Sequence, residues 1–126
     1  MINIQNLSYT YPGSTSPVIN NVTLNIQEGE FVALLGANGS GKSTLLRSLN
    51  GLIQPTTGHV QIDTLSTQTR QDISLIRQKV GLVFQNPDDQ IIASTVEREI
   101  AFGLENLGIL PEEMHQRVEQ HSSNFN

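Results

Sequence analysis

The chain has 126 residues, of which 37% are apolar, and its 7 basic and 12 acidic side chains give a net charge of −5. This length fits one domain, the negative charge argues against a general nucleic-acid surface, and the lack of cysteine excludes disulfides, zinc ribbons and thiol chemistry. The longest apolar run without glycine is 31–35, so neither a signal peptide nor direct membrane insertion is expected.

The first thirty residues predict two strands. Apolar residues alternate from Ile2 to Tyr11 with one slip after Ile4, and they alternate again from Val18 to Ile26. The segment between them, which contains Pro12, Gly13 and Pro17, has the composition of a loop. Together the two strands predict an antiparallel β layer at the N-terminus.

The segment 31–35 predicts a buried strand that leads directly into the phosphate-binding pattern G-x-x-x-x-G-K-S. Glycines at the fixed positions let backbone N–H groups point at phosphate oxygens, while Lys42 supplies a positive charge and Ser43 a hydroxyl for Mg²⁺. The pattern therefore predicts a nucleoside triphosphate site. Its expected binding residues are Gly36, Asn38, Gly39, Ser40, Gly41, Lys42, Ser43 and Thr44.

A helix is predicted directly after this loop. Leu45, Leu46 and Leu49 give one apolar face at helical spacing, and Gly51 is placed to end the helix. The first turn of such a helix brings unpaired N–H donors to the phosphates. The competing interpretation, a flexible Gly/Ser linker, does not account for the strand before the loop or the helix after it.

The rest of the chain continues in alternating elements. After a turn at 55–58, the pattern predicts a strand over 59–63, a helix over 70–78 and a second buried strand over 80–84. Thr95 is expected to cap a helix that carries an apolar stripe, and Pro111 opens a last helix. The segment 121–126 loses helical character, as in a coding sequence cut short or out of frame.

Four features follow one another along the chain: Tyr11, the motif at 36–44, Phe84-Gln85 with the acidic stretch that follows, and the segment 95–103. Their order resembles that in the ATPase subunits of ATP-binding-cassette transporters. Residues 84–103 narrow the resemblance to importers of the energy-coupling-factor and cobalt type. The resemblance covers residues 1 to about 118. It implies an α/β fold of the phosphate-loop NTPase type, with a mixed sheet, an antiparallel layer at the N-terminus and the C-terminal half missing.

The resemblance also implies roles for single residues. Tyr11 would stack on the adenine of ATP, Ser43 would bind Mg²⁺, and Gln85 would reach Mg²⁺ and the attacking water as a catalytic residue. Residues 1–87 would form the nucleotide-binding core, 88–118 the start of a helical subdomain and 119–126 an aberrant tail. The implied partners are a transmembrane transporter subunit and a second ATPase subunit, at the inner face of the cell membrane.

Several of these residues have a simpler interpretation. Tyr11 stands at a strand end, where tyrosine is favoured in any case. Asp88 and Asp89 follow a proline and are read as a turn, at a partner interface, in preference to a catalytic pair. The segment 97–99 is read as the wet side of its helix, and the histidines are read as solvated because their spacing suits no metal: His59, His115 and His121.

A complete ATPase of this kind would be about twice as long and would carry a Leu-Ser-Gly-Gly-Gln signature, a strand ending in Asp-Glu and a switch histidine. None of these motifs occurs in the chain. We therefore read it as an N-terminal half that binds ATP weakly, does not hydrolyse it, and aggregates or partly unfolds alone because apolar surface stays exposed. The alternatives are another phosphate-loop protein, such as a small GTPase or nucleotide kinase, and an inactive pseudogene product.

Overall fold

The structure is a computed structural model that describes residues 1–123. The chain divides into two compact units, of which the first is Met1–Leu82 and the second begins at Val83. Each unit is described by itself.

The first unit is built on a four-stranded antiparallel sheet. Its strands are β1 (Ile2–Tyr9), β2 (Ile19–Ile26), β3 (Thr57–Ile62) and β4 (Leu65–Ser66). They lie in the order β2-β1-β3-β4, so β1 and β3 sit inside the sheet and β2 and β4 form the edges. The predicted antiparallel layer is confirmed, and β1 and β2 pair as neighbours along the chain.

The slip in the alternation of β1 is a bulge. The register runs from Ile4 opposite Leu24 to Leu7 opposite Val22, so three positions of β1 face two of β2. Asn6 lies at the bulge with φ 49° and donates its backbone N–H to Oγ1 of Thr23 at 3.0 Å. The extra residue returns the later part of β1 to the same face, which is why both Ile4 and Leu7 are buried.

Two helices cover the apolar face of this sheet. They are α1 (Lys42–Leu49) and α2 (Arg70–Lys79). Ile76 of α2 is fully buried among the strand residues, and Leu45 and Leu49 of α1 pack against the same cluster. The buried core of the unit consists of Ile4, Leu7, Ile19, Val60, Ile62 and Ile76. As predicted, Gly51 follows the end of α1, with φ 70°.

Asp63 joins the end of β3 to the end of α2. Its carboxylate accepts from the amino group of Met1 at 2.8 Å and from Nζ of Lys79 at 2.9 Å. These two hydrogen bonds lower the pKa of Asp63 to about 2, and the hydrogen bond from the amino terminus has the larger effect. The pairs therefore contribute full stability above the ordinary carboxyl pKa and lose it as the pH falls toward 2.

In the described residues 83–123, the second unit contains one short 3-10 turn at Pro87–Asp89 and two helices, α3 (Val96–Asn106) and α4 (Pro111–Ser123). Thr95 caps α3 as predicted, because its Oγ1 accepts the backbone N–H of Arg98 at 3.4 Å. Helix α4 continues to Ser123, so the loss of helical character expected from His121 onward is wrong for 121–123. Residues 124–126 of the predicted tail lie outside the described residues.

The strands predicted at 31–35 and 80–84 are not formed in the described part of the chain. A central parallel strand has both its hydrogen bonds and its burial supplied by neighbouring strands and covering helices. Residues 31–35 pair with none of the four strands. The chain combines helices with a β-sheet, which confirms the α/β class. The sheet observed in residues 1–123 is antiparallel throughout, however, and not mixed as predicted.

Large apolar side chains are left in water by these two segments. Phe31 is 98% exposed, Leu35 90% and Val83 83%. The exposed apolar surface expected from the sequence is thus confirmed, and each Å² of it forgoes about 25 cal/mol of burial free energy. Among residues 1–123, no helix combines the length and the apolar character needed to cross a bilayer.

We predict that Gly58→Ala destabilises the sheet far more than Gly13→Ala. Both glycines have positive φ, 76° and 83°, which costs an alanine about 1 kcal/mol. Only at Gly58 would the added Cβ collide with backbone, the carbonyl of Asn6, whereas the space around Gly13 is open. We expect a loss of about 3 kcal/mol for the first variant, measured by hydrogen exchange of the β1 and β3 amides. Equal losses would contradict the steric account.

Candidate nucleotide-binding site

The segment 36–41 forms a compact exposed loop that leads into α1. A turn closes where the backbone N–H of Ser40 donates to the carbonyl of Ala37 at 3.2 Å. The first helical hydrogen bond runs from the N–H of Leu45 to the carbonyl of Gly41 at 2.8 Å. Helix α1 thus begins at Lys42, the position that the phosphate-binding pattern requires.

One glycine of the motif is required by close packing. A Cβ on Gly41 would lie 2.8 Å from the carbonyl oxygen of Val18, and Gly41 also has φ 91°. A Cβ on Gly36 would lie 2.7 Å from Oγ of Ser40, inside the loop. Gly41 therefore lets the loop pack closely against the backbone before β2, whereas the hydroxyl of Ser40 could rotate away from a Cβ at Gly36.

The side chain of Lys42 turns back into the loop. Its Nζ donates to the carbonyl oxygens of Gly36 and Ala37, at 2.8 Å each, and lies 3.5 Å from Oγ of Ser40. Carbonyl oxygens are neutral acceptors, so a phosphate that offers charged oxygens to this ammonium group would form stronger hydrogen bonds. The loop consequently holds a positive charge at its centre, ready for an anion.

The N-terminus of α1 is open to a ligand. It has no side-chain cap and no acidic residue in its first turn, so nothing on the helix competes for its unpaired N–H groups or for the positive end of its dipole. Ser43 is exposed, while Thr44 is only 5% exposed. The loop and the helix end together form a cradle for phosphate groups.

Tyr11 is attached to this cradle. Its hydroxyl lies 2.9 Å from Oγ1 of Thr44, with either atom able to donate. Its ring packs edge-on against the ring of Tyr9, with centroids 4.9 Å apart and planes at 85°. The first unit therefore brings Tyr11 and the loop 36–44 together, although they are distant in sequence.

Gln85 lies in the second unit and is exposed. It precedes the 3-10 turn, in which Nδ2 of Asn86 donates to Oδ1 of Asp89 at 3.4 Å. The interpretation of Asp88 and Asp89 as turn residues is confirmed by this geometry. Within the described residues, no group of histidine and acidic side chains is placed to hold a metal ion.

One residue of the second unit has a role that the sequence did not indicate. Glu99 was expected on the wet side of α3, but its Oε2 accepts the backbone N–H groups of Ile92 and Ala93 at 2.9 and 2.6 Å. Its carboxylate thus fixes the segment that leads from the turn at Pro87–Asp89 to the cap at Thr95. A glutamate one turn into a helix, soon after a short loop, was the signal available for this contact.

The fold and the site define a phosphate-loop nucleotide-binding protein. The sequence profile of the family described as ABC transporter matches residues 19–126, and the chain belongs to this family.

Curated relatives agree with this assignment. The energy-coupling factor transporter ATP-binding protein EcfA of Syntrophomonas wolfei subsp. wolfei is 51% identical over 118 residues, which are 94% of this chain and 43% of that protein. The cobalt import ATP-binding protein CbiO of Syntrophus aciditrophicus is 45% identical over 118 residues, 94% of this chain and 42% of that protein. The chain thus spans somewhat less than half the length of these relatives.

Solved structures of the same family share the fold. The cbiO1 protein from Clostridium perfringens, part of the ABC transporter complex cbiONQ, superposes with a TM-score of 0.73 at 33% identity and covers 94% of this chain and 47% of its own. The dimeric cassette MJ0796 bound to ADP and Pi gives a TM-score of 0.76 at 32% identity, over 95% and 55% of the two chains.

We predict that Glu99→Ala frees the segment 91–94. Hydrogen bonds to a charged acceptor contribute about 1.5–3 kcal/mol, so exchange of the Ile92 and Ala93 amides should accelerate roughly tenfold or more. Hydrogen-exchange mass spectrometry of peptides that contain Ile92 and Ala93 measures this acceleration. Glu97→Ala is the control, since it removes an equal charge from the same helix. Unchanged exchange in the Glu99 variant would show that the loop is held by other contacts.

Proposed function

We propose that this chain is the ATP-binding part of an ATPase subunit that energises an importer of the energy-coupling-factor or cobalt type. The observation that carries the proposal is the position of Lys42, whose ammonium group lies inside the glycine loop at the uncapped N-terminus of α1. The names of the curated relatives supply the transporter type.

The cradle suits the triphosphate of ATP. Backbone N–H groups of residues 39–44 would bind the phosphate oxygens, and Lys42 would exchange its two carbonyl acceptors for charged oxygens of the β and γ phosphates. A dissolved anion would lose its water shell here but would regain hydrogen bonds from the backbone N–H groups and from the ammonium group of Lys42. Tyr11, attached to Thr44, stands beside the same loop and would offer its ring face to adenine.

Mg²⁺ fits the same site through Ser43, whose exposed hydroxyl stands in the first turn of α1. When bound, the ion would neutralise charge on the phosphate oxygens. We assign Gln85 to Mg²⁺ and to the attacking water by its position after Phe84 in the family pattern. Hydrolysis additionally needs groups that stabilise the charge on the transferring phosphoryl group, so we propose turnover only for a complete ATPase dimer.

The partners would be a transmembrane transporter subunit and a second ATPase subunit, which would hold the protein at the inner face of the membrane. The dimeric state of MJ0796 and the membership of cbiO1 in a transporter complex support both interactions. In the second unit, the exposed turn Pro87–Asp89 presents two acidic side chains for the transporter contact.

We predict that Lys42→Ala abolishes most triphosphate binding. The charge-assisted contact is worth about 1.5–3 kcal/mol, so affinity should fall by about ten- to 150-fold. Isothermal titration with ATP and with GTP measures the loss and also tests which base is bound. Lys79→Ala is the matched control, because it removes the chain's other lysine, which pairs with Asp63 far along the sequence from the loop. Full ATP affinity in the Lys42 variant, with unchanged circular dichroism, would overturn the proposed site.

We predict that Asp88→Ala and Asp89→Ala together impair coupling to the transporter but spare ATP binding. The test uses a chimera in which this chain replaces the matching 118 residues of the Syntrophomonas relative, assembled with that relative's transporter. Uptake or co-purification with the membrane subunit should fall, since the exposed carboxylates are proposed to contact it. Glu112→Ala with Glu113→Ala controls for loss of two acidic charges. Normal uptake in the Asp88/Asp89 variant would leave these residues as an ordinary turn.

A further inference from the structure

We propose that the hydrogen bond between Tyr11 and Thr44 makes Tyr11 a positioning residue, which sets its ring at a fixed place beside the phosphate loop and so selects tyrosine over other aromatic residues. The inference rests on the proposed function, because the ring is taken to receive the adenine of ATP. It concerns the phenolic hydroxyl, which stacking on a base does not itself require.

An unattached tyrosine at this position would not hold one orientation. Tyr11 follows the end of β1 and opens the loop 11–17, and it is 42% exposed. Exposed aromatic side chains exchange between staggered rotamers. A base that stacked on such a ring would have to fix the side chain on binding, at a cost in conformational entropy.

Two contacts remove this freedom beforehand. The hydroxyl at the tip of the ring lies 2.9 Å from Oγ1 of Thr44, and the ring packs perpendicular to the ring of Tyr9, with centroids 4.9 Å apart. Thr44 itself is 5% exposed and follows Lys42 and Ser43 on α1. The tip of Tyr11 is therefore attached to the helix turn that offers its N–H groups to the phosphates.

The backbone of the loop 11–17 is fixed as well. The carbonyl of Tyr11 accepts the N–H of Ser14 at 3.0 Å, and the N–H of Val18 donates to the carbonyl of Tyr9 at 2.8 Å. The carbonyl of Val18 in turn lies so close to Gly41 that no Cβ would fit between them. The loop 11–17 thus meets the phosphate loop at both ends, through Thr44 at one end and Gly41 at the other.

This arrangement makes a specific claim about the hydroxyl. Phenylalanine at position 11 would keep the ring but lose the attachment, so binding of the base should weaken while binding of the phosphates should not. A net hydrogen bond of ordinary strength corresponds to about a three- to tenfold change in affinity. A merely structural role for Tyr11 would weaken both kinds of ligand together.

The test is a double-mutant cycle with two ligands, ATP and inorganic tripolyphosphate, in the 126-residue chain and in the chimera described above. Tyr11→Phe removes one hydroxyl of the hydrogen bond and Thr44→Val removes the other. Tyr9→Phe is the matched control, because it removes a hydroxyl from the neighbouring ring and leaves the Tyr11–Thr44 bond in place. Circular dichroism checks that each variant folds.

We expect Tyr11→Phe to bind ATP about three- to tenfold more weakly and tripolyphosphate unchanged. In the Thr44→Val background, Tyr11→Phe should have no further effect, because the same bond is already lost. Tyr11→Ala should bind ATP more weakly still, and Tyr9→Phe should bind it about as well as the wild type. ATP binding that depends on Lys42 but is equal in Tyr11→Phe, or additive losses in the cycle, would overturn the positioning role alone. Absence of ATP binding in the unaltered chimera would overturn the proposed function and the positioning role with it.

Discussion

The close approach of Gly41 to the carbonyl of Val18 is the contact on which the nucleotide site depends. Any side chain at position 41 would push the phosphate loop away from Val18, directly before the start of β2. With the contact in place, α1 begins at Lys42 directly against the sheet, and Leu45 and Leu49 reach the common core. The same contact brings Thr44 within hydrogen-bond distance of Tyr11. One missing Cβ therefore couples the phosphate cradle, the core and the aromatic ring.

The hydrogen bonds that Lys42 makes within its own loop can be exchanged for hydrogen bonds to a ligand. Lys42 donates to two carbonyl oxygens of its own loop, so the charge is hydrogen-bonded before a nucleotide arrives. Because carbonyls are weaker acceptors than phosphate oxygens, the internal bonds hold the loop in shape without opposing the ligand strongly. The internal hydrogen bonds thus preorganise the loop and can still be replaced by hydrogen bonds to a ligand.

The apolar segment before the loop shows the opposite situation. The side chains of 31–35 and Val83 belong by composition in a core, yet they are exposed in the described residues. The chain belongs to the ABC transporter family and matches less than half the length of its relatives. Residues 1–30 and 42–79 bury their apolar faces against one another and form a core without these segments.

Local signals in the sequence were enough to predict the phosphate loop, the start of α1 at Lys42, the slip that became the bulge at Asn6, and the Thr95 cap, because each depends on residues a few positions apart. Strands at 31–35 and 80–84 were predicted wrongly, because a parallel strand is stabilised by neighbours that composition alone cannot supply. Only the tertiary structure joined Tyr11 to Thr44, 33 residues away, and turned Glu99 toward the amides of Ile92 and Ala93. These contacts depend on how helices and loops pack, and no periodicity or motif encodes that geometry.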